Sequence, residues 1–124
     1  MEQLLLHLLG DYITQTDWMA REKVRRSLAA LVHCLVYGLP FLLLEPSMPA
    51  LAMIIVSHFF IDRFRLARYL VFAKNWLNQP SLRWADCSET GFPKSSPIWL
   101  STWLMIITDN TMHMAINYAS LRWL

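Results

Sequence analysis

The chain has 124 residues, enough for one domain, and 56% of them are hydrophobic whereas only 16% are charged. Soluble domains carry about 25% charged residues, so this composition is typical of an apolar, helical protein. The net charge of +2 is too small to indicate nucleic acid as a partner, and the two cysteines, Cys34 and Cys87, do not have zinc-ribbon spacing.

The first two predicted helices cover residues 4–20 and 27–44. Residues 4–20 are apolar on most faces, but His7, Asp11 and Gln15 follow one stripe of the helix. A spanning or deeply inserted helix is predicted here, and an amphipathic helix lying in the membrane interface is the alternative. Residues 27–44 contain no Lys, Arg, Asp or Glu, which gives them the length and composition of a membrane span.

The last two predicted helices cover residues 49–76 and 98–121. The first half of 49–76 is apolar, and its second half is basic and amphipathic, so this helix is expected to continue beyond the membrane. Residues 78–97 form the one long irregular stretch, with three prolines. Residues 98–121 have Asp109 and His113 as their only ionisable groups.

Basic residues are concentrated in two parts of the chain, 21–26 and 63–94, and are absent from the turn at 45–49. The positive-inside rule places both basic regions in the cytoplasm. The sequence therefore predicts an all-α fold: a single domain over 1–124, built as a four-helix transmembrane bundle, up-down-up-down, with one cytoplasmic loop. The predicted location is a bacterial inner membrane, crossed several times.

Three His/Asp pairs with four-residue spacing lie within these apolar helices: His7/Asp11, His58/Asp62 and Asp109/His113. On a helix, residues four apart share one face. An ionisable residue in a membrane span costs roughly 2.5–3.5 kcal/mol, so these groups must be paired, solvated or bound to a cation. The first and last pairs have opposite order, so antiparallel packing would place aspartate against aspartate. A divalent cation between them would remove the repulsion.

Nitrogen and oxygen donors together favour zinc, with manganese or iron as alternatives, in a site of one or two ions. The predicted metal ligands are His7, Asp11, His33, His58, Asp62, Asp109 and His113. Gln15 and Asn117 each lie four residues beyond a motif residue and are predicted to orient the ligands. The alternative is that each pair forms only a local hydrogen bond, and His33 taken alone favours a hydrogen-bonded buried core residue over a metal ligand.

Four stretches, HLLGDYITQTDWMA, LVHCLVYG, HFFIDRFRLARYL and TGFPKSSPIWLSTWLMIITDNTMHMAINY, resemble a domain family of unknown function found in small bacterial and phage membrane proteins. The resemblance covers nearly the whole chain and implies a compact membrane protein with inward-facing His and Asp residues. The family's usual DQ pair is here Asp109-Asn110. The pattern is also similar in style to helical zinc hydrolases of the phospholipase C and P1-nuclease type.

Three functional hypotheses follow. The first is a metal-dependent hydrolase acting on a membrane phosphate ester, with Asp11 and Asp109 as the catalytic residues that bridge metals or act as base. The second is a component of metal or proton transport, which would require a homo-oligomer because only four helices are available. The third is a non-catalytic accessory protein with a structural polar core. Membrane lipid is an expected partner, and the basic helix Arg63–Lys74 with loop 78–97 would bind a protein partner.

Overall fold

The computed structural model describes residues 2–124, and within them the chain is all-α, with seven α-helices and no strand. The predicted all-α class is therefore confirmed. In chain order the helices are α1 Glu2–Leu8, α2 Asp17–Glu22, α3 Ser27–Gly38, α4 Met48–Phe64, α5 Ala67–Asn78, α6 Trp84–Cys87 and α7 Ile98–Trp123. A π-helical turn, Leu9–Ile13, extends α1, and a 3₁₀ helix, Leu39–Leu44, extends α3.

The chain forms two compact units. The first comprises the described residues up to Phe64 together with His113–Leu124, and the second is Arg65–Met112. The prediction of one domain over 1–124 stays a prediction, and the two units are described separately below.

The helix predicted at 4–20 is shorter than expected. The π-helical turn ends at Ile13, and α2 begins after Thr16, whose side chain accepts a hydrogen bond from the Met19 backbone N–H at 3.3 Å. Such a cap satisfies a free N–H at the start of a new helix. Gly10 lies close to α3, because a Cβ atom there would be 2.8 Å from the backbone oxygen of Tyr37. Gly10 therefore permits a close approach of two backbones in the first unit.

The segments predicted at 27–44 and 49–76 each change conformation along their length. Pro40 lies in the first turn of the 3₁₀ helix, and proline has no N–H to continue an α-helical ladder. The second segment divides into α4 and α5 at Arg65, whose φ of 52° lies in the left-handed region. The predicted last helix, 98–121, is observed with nearly the same bounds as α7.

Apolar packing in the first unit centres on a small cluster of buried side chains. Its members are Leu6, Tyr37, Phe41 and Ile54. Leu44, Leu51 and Leu121 pack against this cluster. The cluster therefore joins α1, α3, α4 and the end of α7.

Within the described residues, one helical stretch, Ser27–Leu44, is long and apolar enough to cross a membrane, with a mean hydropathy of 2.0. A single stretch of this kind is weak support for membrane insertion, because core helices of soluble proteins and signal sequences have the same properties. The predicted four-helix transmembrane bundle with several spans is not supported.

In the second unit, Arg65, just before α5, and Arg68, in its first turn, donate to loop carbonyls. Arg65 donates to the Glu89 oxygen at 2.8 Å, and Arg68 donates to the Ser88 oxygen at 2.9 Å. Gly91, with a φ of 83°, turns the same loop back toward α5. The loop predicted to be irregular also contains α6. Part of the basic surface predicted to bind a partner is thus used to hold this loop.

Candidate metal centre

All four histidines of the chain lie in the first unit and are buried, each on a different helix. They are His7 on α1, His33 on α3, His58 on α4 and His113 on α7, with at most 1% of each exposed. Asp11 in the π-helical turn and Asp62 on α4 are also buried, at 4% and 5% exposure. Charged residues are almost never fully buried unless they are paired, so this concentration of ionisable groups requires partners.

Four donor atoms, one from each of two histidines and two aspartates, converge at one point between α3, α4 and the π-helical turn. We call this set the four-donor cluster: His33 Nε2, His58 Nε2, Asp11 Oδ1 and Asp62 Oδ2. The two Nε2 atoms lie 3.0 Å apart, and His33 Nε2 is 3.2 Å from each carboxylate oxygen. His58 Nε2 is 3.3 Å from Asp62 and 3.7 Å from Asp11.

These separations lie within about 0.3 Å of the edges of a tetrahedral metal site. Zinc binds nitrogen and carboxylate oxygen at about 2.0–2.2 Å, so the ligands of a tetrahedral site lie roughly 3.3–3.6 Å apart. The five separations above run from 3.0 to 3.7 Å. The residues present therefore fit a single four-coordinate ion with His₂Asp₂ ligands.

Hydrogen bonding alone does not account for the same arrangement. An imidazole Nε2 carries either one proton or one lone pair. His33 Nε2 nevertheless has four polar neighbours within 3.2 Å: His58, Asp11, Asp62 and Lys23. One proton cannot serve all four, whereas a central cation would bind the nitrogen and both carboxylates together.

Lys23 reaches the four-donor cluster from the segment just after α2. Its Nζ lies 2.7 Å from Asp62 Oδ2 and 3.4 Å from Asp11 Oδ1. Burial acts to lower the pKa of Lys23, but the two carboxylates outweigh it, so the pKa lies above its ordinary value. Lys23 is therefore a cation at neutral pH and balances part of the carboxylate charge.

A second hydrogen-bonded group lies next to the cluster and is centred on Tyr37. The Asn117 side-chain amide donates to the Tyr37 hydroxyl at 2.6 Å, and His7 Nδ1 lies 2.9 Å from the same oxygen. The Tyr37 ring stacks on His58 with centroids 3.6 Å apart. His58 Nδ1 has no hydrogen-bond partner among the described residues, so the ring is held by this stacking together with the contacts of its Nε2.

His113 joins the two groups. Its Nε2 lies 3.2 Å from Asp62 Oδ1, the carboxylate oxygen that is outside the four-donor cluster. Its ring lies 4.1 Å from the His58 ring and 5.6 Å from the His7 ring, centroid to centroid. An imidazole bound to a ligating carboxylate is the type of contact that orients ligands around metal ions.

The structure thus brings together six of the predicted residues within the first unit: His7, Asp11, His33, His58, Asp62 and His113. Asp109 is half-buried on α7, one helical turn before His113, and belongs to the second unit. Gln15 lies between the π-helical turn and α2 instead of on a helix, and Asn117 binds Tyr37.

Sequence reasoning missed two members of the site, Lys23 and Tyr37. Tyr37 lies four residues after His33 on an apolar helix, the same spacing as the three His/Asp pairs, so a signal for it was present. Lys23 is one of four basic residues in 21–26, all interpreted as topology markers. Its neighbours Arg21, Arg25 and Arg26 are exposed, and nothing in the local sequence distinguishes Lys23 from them.

A family model described as "Protein of unknown function (DUF3307)" matches residues 1–117. No curated protein and no solved structure matches the chain.

Proposed function

This chain belongs to the DUF3307 family of proteins of unknown function, and we propose from the site itself that it binds one divalent transition-metal ion. The ligands are the four atoms of the four-donor cluster. The observation that supports this proposal is the convergence of two imidazole nitrogens and two carboxylate oxygens at separations of 3.0–3.7 Å, in a buried site. Two carboxylates so close in a low-dielectric core repel strongly unless a proton or a cation compensates their charge, and the single Lys23 ammonium balances only part of it.

Zinc is the ion that we propose for this site. Two nitrogen and two oxygen donors suit Zn²⁺, Mn²⁺ or Fe²⁺, whereas Mg²⁺ and Ca²⁺ prefer oxygen alone. The separations fit a tetrahedral arrangement, which is the usual geometry of zinc. Zinc also has no geometric preference from its d electrons and tolerates the spread between the shortest and longest edges.

We propose a structural role for the ion in preference to hydrolysis. Structural zinc sites are closed by four protein ligands, whereas catalytic sites keep a position open for water or substrate. The four-donor cluster already supplies four ligands, and they come from three separate segments of the chain. Hydrolysis of a membrane phosphate ester, with Asp11 and Asp109 as catalytic residues, would require one of these ligands to leave.

The test of metal binding is the metal content of the full chain, purified in detergent without chelators and measured by elemental mass spectrometry. We expect about one equivalent of zinc per chain in the wild type. The variants His58→Ala and Asp62→Asn should lose it, because each removes a donor. Asp17→Asn, the same chemical change at an exposed carboxylate paired with Arg21, should keep it. A wild type without metal after purification, and after zinc is added back, would refute the proposal.

We further propose that the first unit is embedded in a membrane, with lipid as its partner. What supports this is the distribution of polarity: the buried groups of the unit include four histidines and two aspartates, whereas large apolar side chains face outward. Exposed apolar residues on α3, the 3₁₀ helix and α4 include Leu28, Leu35, Leu43, Met53 and Phe60, each at least 47% exposed. Apolar patches of this size mark membrane or protein contacts.

Membrane association has a direct test. Membranes from cells that express the chain are washed with alkaline carbonate, which removes peripheral proteins, and the pellet and supernatant are compared. Retention of the chain in the pellet is expected for an embedded protein. Full release into the supernatant would contradict the membrane proposal and would leave the metal proposal unaffected.

A further inference from the structure

The ammonium group of Lys23 contacts the same atoms that the proposed metal ion would bind. This inference rests on the proposed metal site. We propose that Lys23 is a tethered cation that competes with the metal ion for the four-donor cluster and must withdraw when the metal binds. Lys23 is thus a determinant of metal affinity and exchange and is not itself a ligand.

The contacts of Lys23 are made with the proposed ligands. Its Nζ lies 2.7 Å from Asp62 Oδ2, 3.2 Å from His33 Nε2 and 3.4 Å from Asp11 Oδ1. An ammonium group has three donor hydrogens, and these three atoms are three of the four in the four-donor cluster. The same lone pairs would have to turn toward a metal ion.

Charge makes simultaneous occupation unfavourable. A zinc ion bonded to Asp62 Oδ2 at about 2.0–2.2 Å would lie at most about 5 Å from the ammonium nitrogen. The two carboxylates carry two negative charges, which one divalent ion neutralises. One ammonium group alone leaves one negative charge uncompensated, and both cations together leave one positive charge in excess. Like charges this close in a buried site repel strongly.

The side chain of Lys23 has a route by which to withdraw. It is 16% exposed, whereas the Asp11 and Asp62 side chains are 6% and 3% exposed. Its backbone is at the end of α2, where its N–H bonds to the Met19 oxygen, and the neighbouring Arg25 is exposed. The ammonium can therefore move toward the basic surface of 21–26 by rotation of its own side chain, without displacement of a helix.

The test compares zinc affinity among the wild type, Lys23→Met, Lys23→Arg and Arg25→Met, by competition with a chelating dye on the full chain in detergent. Methionine keeps the length of the lysine side chain and removes its charge. We expect Lys23→Met to bind zinc roughly tenfold or more tightly than the wild type, because the competing cation is gone. Lys23→Arg keeps a cation and should not bind more tightly than the wild type. Arg25→Met removes an exposed charge from the same segment and should bind as the wild type does.

Three results would overturn the inference, and they separate it from the metal proposal. If the wild type and Lys23→Met bind zinc equally, or the variant binds more weakly, Lys23 does not compete, although the metal site stands. If neither binds zinc, the metal proposal itself fails and this inference fails with it. If Lys23→Met does not fold without zinc, it is refolded with zinc. If the variant folds only when zinc is present, this supports the replacement of the lysine cation by the metal ion. If it folds neither with nor without zinc, the proposed replacement is refuted.

Discussion

Replacement of Tyr37 by phenylalanine tests the hydrogen-bonded group that borders the four-donor cluster. The Tyr37 hydroxyl is buried and has two neighbours, the Asn117 amide at 2.6 Å and His7 Nδ1 at 2.9 Å. Phenylalanine keeps the ring that stacks on His58 and removes only this oxygen. The variant therefore isolates the hydrogen bonds from the packing.

The expected cost follows from the two hydrogen bonds that the Tyr37 oxygen makes with the Asn117 amide and His7 Nδ1. Each buried polar group that loses its hydrogen bond costs about 1–3 kcal/mol. The surroundings of Asn117 and His7 can partly relax in the variant, so the total cost is smaller than twice the maximum for one group. We therefore expect a loss of roughly 2–4 kcal/mol in the free energy of unfolding. With an unfolding entropy of about 2.1 cal/mol/K per residue, this corresponds to a fall in Tm of roughly 8–15 °C.

The measurement is thermal and urea unfolding of the detergent-solubilised chain, followed by the fluorescence of its six tryptophans and by circular dichroism. Tyr118→Phe is the matched control, because Tyr118 is 56% exposed, and it should change stability by no more than about 0.5 kcal/mol. Equal stability of the two variants would refute the buried network described for Tyr37. A zinc affinity close to that of the wild type is also expected, since the hydroxyl is outside the four-donor cluster.

Three further predictions concern the same units. Gly10→Ala should lower stability by about 1–3 kcal/mol, because its Cβ would lie 2.8 Å from a backbone oxygen of Tyr37. Gly38→Ala, whose Cβ would meet side-chain atoms of Ile55 and Leu51 and no backbone atom nearby, should cost less, and the reverse order in urea unfolding would contradict the packing described. Gly91→Ala should destabilise the second unit by about 1–3 kcal/mol because of its positive φ and the close approach of its Cβ to the Arg68 backbone oxygen. Faster proteolysis within 78–97 would report this loss, and an unchanged cleavage rate would argue against this loop geometry. Zinc at a hundredfold excess over its Kd should add about 2.7 kcal/mol of stability to the wild type, and an unchanged Tm in a zinc titration would contradict specific binding to the folded state.

The His/Asp spacing predicted one part of the site well. His58 and Asp62 share a helical face as expected, with Nε2 and Oδ2 3.3 Å apart. A four-residue spacing on a regular helix determines this contact locally. The meeting of His33 with both aspartates is different, because it depends on how three segments pack, and no spacing within one segment encodes it.

Helix breaks were the less predictable part of the fold. Pro40 marks the change to a 3₁₀ helix. Because proline has no backbone N–H, this change can be predicted from the sequence. Arg65 adopts a left-handed backbone conformation, which is uncommon for residues other than glycine. The type of residue at this position therefore does not indicate that the predicted helix 49–76 divides there. The inward position of Lys23 is likewise not indicated by the sequence. It depends on the path of the chain after Thr16, and a count of basic charges does not show it.

The order in which the donors occur along the chain has a consequence for biosynthesis. The four donors belong to Asp11, His33, His58 and Asp62, which all lie in the first half of the sequence, whereas His113 comes near its end. Because the chain is synthesised from its N-terminus, all four ligands of the proposed metal site are made before α7. The contact of His113 Nε2 with Asp62 Oδ1 can form only once α7 has been made, so a chain truncated before α7 would lack this contact although it would still carry all four donors.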